Sequence, residues 1–194
     1  MGERAPTKLI ILDRDGVINL DRDTFINSPA EWIPIEGSLE AIARLNQADY
    51  RVVIATNQSG IARGLYDIST MNAINQKMHA AALAVGAEID SIFFCPHSAS
   101  DNCDCRKPRP GMFHAIAKRY DTQLKGIPSV GDSLRDLQAS FIAGCTPYLV
   151  LSGKGKLTLE NGGLPPGTIS YPDLATIVDK LLSEADDEFA NTTR

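Results

Sequence analysis

The chain has 194 residues, 43% hydrophobic and 22% charged, with a formal net charge of −5. Such a length suits one domain that buries roughly 70% of its unfolded surface. The acidic balance argues against a nucleic-acid partner, and the longest early apolar run, Leu9 to Leu12, is too short for a signal peptide or membrane span.

The first expected strand, 8–13 (KLIILD), runs into Asp13 and on through Arg14 to Asp15 and Gly16. Gly37-Ser38 opens a helix expected at about 38–48, and the second strand, 51–57, ends in Thr56 and Asn57. After a helix at about 68–86, the third strand, 90–95, enters CPHSASDNCDCRKPRPG, which holds three of the four cysteines, one of the three histidines, and Arg106, Lys107 and Arg109. Pro110 starts a helix at about 110–120, and a fourth strand, 128–132, ends in Asp132. A helix at 133–144, a strand at 147–152 and a last helix at about 173–187 follow, with an acidic tail over about 184–194 expected to fray. Alternation of this kind predicts an α/β fold. It is a single Rossmann-like domain over 1–194, with its core at about 8–182, and a mostly parallel sheet of five or six strands carries helices on both faces. Ligands of such sheets collect beyond the carboxyl ends of strands, so Asp13, Asp15, Thr56, Asn57, Asp132 and Lys107 are expected around one crevice.

Two carboxylates two positions apart at a strand end can do different jobs. Asp13 can attack phosphorus and form an aspartyl-phosphate, while Asp15 protonates the leaving alcohol and later deprotonates water. A carboxylate facing a phosphate at about 4 Å meets about 4 kcal/mol of repulsion per charge pair, so positive charge is required. Magnesium on Asp13, Asp132 and the backbone carbonyl of Asp15 fits that need, with Lys107 as a second cation and the Thr56 hydroxyl gripping phosphoryl oxygens. The plain alternative is that Asp13 and Asp15 are turn residues.

Cys95, His97, Cys103 and Cys105 supply three thiolates and an imidazole, a set suited to a closed structural zinc site. The alternatives are four unrelated residues in a polar loop, or a redox pair at Cys103 and Cys105. Bound zinc contributes about 10–16 kcal/mol of apparent energy, enough to order a loop over 95–105 with little apolar core. Arg106 and Lys107 would then leave the metal in a fixed direction.

The ordered set LIILDRDGVIN, VVIATNQSG, CRKPRPGM and VGDSLRDLQAS resembles the haloacid dehalogenase phosphatase superfamily and, within it, the heptose 1,7-bisphosphate 7-phosphatases; TNQSGIARG at 56–64 is its sharpest phrase. The resemblance spans about residues 8–152. It implies a core strand order of 3-2-1-4-5 without a large cap domain. It also implies Asp13 as nucleophile, Asp15 as acid and base, Thr56 and Lys107 stabilising the phosphoryl group, magnesium on Asp13, Asp15 and Asp132, and zinc in the loop after strand three. The implied substrate is a small sugar phosphorylated at both ends, in the making of nucleotide-activated heptose for lipopolysaccharide. Its expected contacts are Asp21, Arg22, Asp23, Thr24, Thr56, Asn57, Gln58, Ser59, Arg106, Lys107 and Ser133. Arg63 and Arg109 are further candidates for a second anionic group. Two departures from the family pattern stand near the pocket: RDTF follows Asp21 in place of a Gly-Tyr-containing loop, and Ser133 follows Asp132 in place of lysine. The rival readings are a histidinol-phosphate phosphatase, whose zinc loop is similar, and a non-catalytic zinc-bearing module. The default is a cytoplasmic monomer with no membrane partner.

Other residues read as structural. Cys145, Met71 and Met78 are expected in the core, His79 and His114 on helix surfaces, and Trp32 as either an entrance wall or a loop anchor.

Overall fold

The computed structural model describes residues 8–192, with side chains described through 184. Six strands alternate with six α-helices: β1 (Leu9–Leu12), α1 (Ser38–Gln47), β2 (Arg51–Asn57), α2 (Ile68–Ala84), β3 (Ser91–Cys95), α3 (Gly111–Tyr120), β4 (Pro128–Gly131), α4 (Leu134–Ile142), β5 (Thr146–Val150), α5 (Gly155–Asn161), β6 (Ile169–Tyr171) and α6 (Leu174–Thr192). All pairings are parallel, in the order β3-β2-β1-β4-β5-β6. The expected five-strand order is present. The sequence reading located neither β6 nor α5, the short elements that extend the sheet beyond β5. The backbone of α6 runs on to Thr192, through the stretch expected to fray.

Alternation along the strands sorts the core into two faces. Ile10, Leu12, Val52 and Ile54 point to one side, where they meet Leu39, Ile42 and Leu45 of α1, Ile74 and Met78 of α2, and Ile177 and Val178 of α6. Leu9, Ile11, Val53 and Ala55 point to the other, against Met112, Phe113 and Ile116 of α3 and Ala139 of α4. Buried on both sides, these strands read as continuous apolar runs. Trp32 is 1% exposed within the first cluster and anchors its loop. Met71, Met78 and Cys145 are buried, whereas His79 and His114 are exposed.

The winding reverses at β1. The chain passes outward through α1 to β2 and through α2 to β3, and α3 then returns it to β4 on the opposite flank of β1. The carboxyl ends of β1, β2 and β4 therefore surround the topological switch point, where open parallel sheets leave a crevice.

Candidate active site

A cavity of about 170 Å³ lies at that point, with Asp13, Asp15, Thr56, Asn57, Gln58, Ser59, Arg106 and Asp132 in its wall together with Asp21, Arg22 and Asp23. Three expected contacts are not in that wall. Thr24 is exposed outside it. Ser133 caps α4 and turns inward, its hydroxyl and N–H both donating to Asp136 Oδ2. Lys107 is 2% exposed and lies beneath the floor, behind Asp13.

Lys107 has each of its three donor positions facing an oxygen: Asp13 Oδ1 at 2.9 Å, Asp136 Oδ1 at 2.7 Å and the Ala55 carbonyl at 2.8 Å. Burial works against its ammonium form, but Asp13 and Asp136 outweigh that and raise its pKa. The same charge holds the Asp136 carboxyl below its usual range in spite of burial. Asn57 brackets the Lys107 backbone. Its Nδ2 donates to the Lys107 carbonyl and its Oδ1 accepts from the Lys107 N–H, both at 3.1 Å. The end of β2 thus sets where the lysine leaves the loop after β3.

Three carboxylates, Asp13, Asp132 and Asp136, place oxygens within 4.8 Å of one another. One buried lysine cannot balance them. Burial, eased by Lys107, pushes Asp13 up to about 6. Burial and the charges of Asp136 and Asp13 push Asp132 up to about 8. Unbalanced negative charge among hard oxygen ligands is what a divalent cation such as magnesium relieves, so the residues fit that ion. The carboxylate of Asp15 is not in this group, which leaves its backbone carbonyl as the ligand Asp15 would offer. Asp15 is turned instead towards Arg14, Asn19 and Gln58.

Asp132 can reach this position because two glycines make room. A Cβ on Gly16 (φ +82°) would lie 2.1 Å from Asp132 Oδ2, and one on Gly153 would lie 2.3 Å from it. The loop after β5 closes over the same carboxylate: the Lys154 N–H donates to Asp132 Oδ2 at 2.8 Å, and the Ser152 hydroxyl donates to the Gly16 carbonyl at 2.7 Å. The Lys154 ammonium then pairs with Asp21 at 2.8 Å.

In the loop after β3, the sulfurs of Cys95, Cys103 and Cys105 lie 3.2–3.6 Å apart, and His97 Nδ1 lies 3.2 Å from Cys105 Sγ and 3.7 Å from Cys95 Sγ. A zinc–sulfur bond of about 2.3 Å in a tetrahedron implies ligand separations of about 3.8 Å, so the four atoms suit zinc. They are much too far apart for disulfides at about 2.05 Å. Arg106 donates to the His97 carbonyl at 3.1 Å while lining the cavity. Arg109 is spent on the loop itself, on Asn102 and Cys103, and does not reach the cavity.

Several wall residues escaped the sequence reading: Asp136, Arg135, Lys154, Phe25 and Ile26. Asp136 had a signal, since an acid three residues after Ser133 is a capping-box pattern. Phe25 stands in the RDTF segment at φ +66° and lies 5.4 Å beneath the guanidinium of Arg63, itself in the wall.

Comparison with known proteins agrees with this geometry. A family model described as polynucleotide kinase 3 phosphatase matches residues 8–193. A D-glycero-beta-D-manno-heptose-1,7-bisphosphate 7-phosphatase of Bordetella bronchiseptica is 61% identical over 92% of this chain and 99% of its own. One of Pseudomonas aeruginosa is 51% identical over 90% and 97%. The crystal structure of the B. bronchiseptica D,D-heptose 1,7-bisphosphate phosphatase, complexed with magnesium and phosphate, matches with a TM-score of 0.90 and 60% identity over 91% of this chain and 99% of that one. The Burkholderia thailandensis phosphatase of that name matches with a TM-score of 0.74 and 52% identity over 91% and 99%.

Proposed function

Because the chain belongs with the D-glycero-beta-D-manno-heptose-1,7-bisphosphate 7-phosphatases of the haloacid dehalogenase superfamily, we propose that it removes the 7-phosphate of that sugar and leaves the 1-phosphate. It is a phosphoric monoester hydrolase. The reaction proceeds through a phosphoryl group carried on Asp13, in the cytoplasm, on the way to nucleotide-activated heptose for lipopolysaccharide. The observation that carries the mechanism is the pairing of Asp13 Oδ1 with buried Lys107, which leaves Oδ2 of the same carboxylate to attack.

Asp13, Asp132 and the backbone carbonyl of Asp15 would hold magnesium, which when bound supplies the positive charge that lets a carboxylate approach a phosphate dianion. Asp13 Oδ2 attacks the phosphorus of the 7-phosphate, and the bond to the sugar oxygen breaks. Asp15 gives that oxygen a proton. Asp15, now a carboxylate, takes a proton from water as the water attacks the same phosphorus; inorganic phosphate leaves and Asp13 is restored. Thr56 donates to a phosphoryl oxygen, while Lys107 acts from beneath by its charge. Arg106, held to the zinc loop, suits the second phosphate. A zinc held by Cys95, His97, Cys103 and Cys105 would have no open position and would serve as scaffold.

The test is magnesium-dependent phosphate release from heptose 1,7-bisphosphate and from histidinol phosphate, with Asp13→Asn as control. Release from the bisphosphate, lost by at least about 10⁴-fold in the mutant, is the expected result. Preference for histidinol phosphate would overturn the substrate and keep the chemistry. Full activity in Asp13→Asn would remove the covalent step.

A further inference from the structure

Gln58 follows β2 and is 3% exposed. Its Nε2 donates to Asp15 Oδ2 and to Thr56 Oγ1, both at 2.9 Å. Its Oε1 accepts from the Arg14 guanidinium at 3.1 Å and from the Tyr66 hydroxyl at 2.6 Å. Both amide hydrogens and both carbonyl lone pairs are in use, so the amide has one orientation: turned over, its NH2 would face the guanidinium, donor against donor. A further consequence falls on Thr56. Its oxygen already accepts from Gln58, which leaves its own O–H to donate into the cavity.

Asp15 receives four donors, two on each oxygen. Arg14 Nε and Asn19 Nδ2 reach Oδ1 at 3.1 and 2.9 Å; a second Arg14 nitrogen and Gln58 Nε2 reach Oδ2 at 3.0 and 2.9 Å. The carboxyl can take up or release a proton only if one of these yields. Arg14 is charged, forked and 1% exposed, and is the strong hold. The neutral amides of Asn19 and Gln58 are the weaker ones, and only Gln58 of these two also touches Thr56.

The tyrosine half of the clamp on Gln58 depends on Gly60 of TNQSGIARG. Tyr66 comes over the amide because residue 60 is glycine: a Cβ there would lie 2.2 Å from the tyrosine ring. Burial pushes the Tyr66 hydroxyl up to about 12, so it stays a donor at neutral pH.

We propose that Gln58, clamped by Arg14 and Tyr66, is a positioning residue that couples the aim of the Asp15 carboxyl to that of the Thr56 hydroxyl; this rests on reading Asp15 as the acid and base. The experiment is single-turnover cleavage of heptose 1,7-bisphosphate, whose alkoxide leaving group needs a proton, beside p-nitrophenyl phosphate, whose phenolate leaves without one. Asp15→Asn, Gln58→Leu and Tyr66→Phe are compared with magnesium and zinc present. Asp15→Asn loses about 10²–10⁴-fold on the bisphosphate and far less on the aryl ester. Gln58→Leu loses about 10²-fold with the same selectivity and little change in substrate affinity. Tyr66→Phe keeps the ring over Gly60 and shows the same selectivity at a smaller size, so it carries the test should Gln58→Leu not fold. Equal losses on both esters, or none, in Gln58→Leu and Tyr66→Phe while Asp15→Asn stays selective would overturn the positioning role alone. An unselective Asp15→Asn would overturn both the acid–base reading and the inference built on it.

Discussion

At Asp132 three effects act in one direction: burial and the negative charges of Asp136 and Asp13 push its carboxyl up to about 8. Its folded pKa lies above the unfolded value of 3.8, so the stabilising neutral form is fully present below that value and is lost as pH rises through about 8. Asp13, raised to about 6, adds to the same trend. A cation that binds the ionised carboxylates reverses it. We therefore expect the metal-free protein to lose thermal stability between about pH 5 and pH 8, and magnesium to raise the midpoint more at pH 8 than at pH 6. A magnesium shift that is absent, or independent of pH, would take Asp132 out of the cation site. Gly16→Ala should act on the same carboxylate, since its Cβ would collide with Oδ2 and its φ of +82° costs a side chain about 1–2 kcal/mol. Loss of the magnesium response in a folded Gly16→Ala variant is the result to look for. Asp13, Asp15, Thr56 and Asp132 could be placed together from sequence because each lies at or just beyond the carboxyl end of a strand. The Arg14–Gln58–Tyr66 contacts could not, since they join loop residues 44 and 8 positions apart through side-chain geometry alone.

Among elements, the loop after β3 shows most plainly how local chemistry positions a distant site. It has almost no apolar content of its own, yet it delivers Arg106 to the cavity wall and Lys107 to a place beneath the floor. The four soft ligands fix one end of that path, and the Asn57 bracket fixes the other. Replacing Cys103 with alanine opens the ligand set while leaving both cations in the chain. The thermal midpoint should fall by about 10 °C or more, at about 2–4 °C per kcal/mol for a chain of this size. Turnover of the bisphosphate should fall with it. A Cys103→Ala protein as stable and as active as the parent would make the metal dispensable. The ligands were legible in the sequence because four soft donors fall within eleven positions. The short elements after β5 were not: α5 has seven residues between glycines and β6 only three, too few for periodicity to register. With them went Lys154, whose role comes from the loop that α5 anchors.

Over the whole molecule, charge is distributed against its own sum. The chain carries a net −5, yet Arg22, Arg63, Arg106, Arg135 and Lys154 gather around one cavity. The charges there are layered: Asp132 and Asp136 are buried at the floor, while Arg22, Arg63 and Arg135 are exposed at the mouth. This follows from the winding. Reversal at β1 brings the ends of β1, β2 and β4 to the floor, and the longer loops after β1 and β2 and the start of α4 furnish the rim. A cation on the floor removes much of the repulsion there, and what an approaching anion then meets is the positive rim. Clefts of this kind focus the field and raise encounter rates, an effect screened beyond about 10 Å at 0.1 M salt. With a bisphosphate substrate, kcat/KM should therefore fall several-fold between about 0.02 and 0.5 M sodium chloride, while kcat, set after binding, changes little. Arg135→Glu should flatten that dependence without altering the magnesium requirement. A kcat/KM indifferent to salt would mean that the rim cations grip bound substrate and do not steer it in.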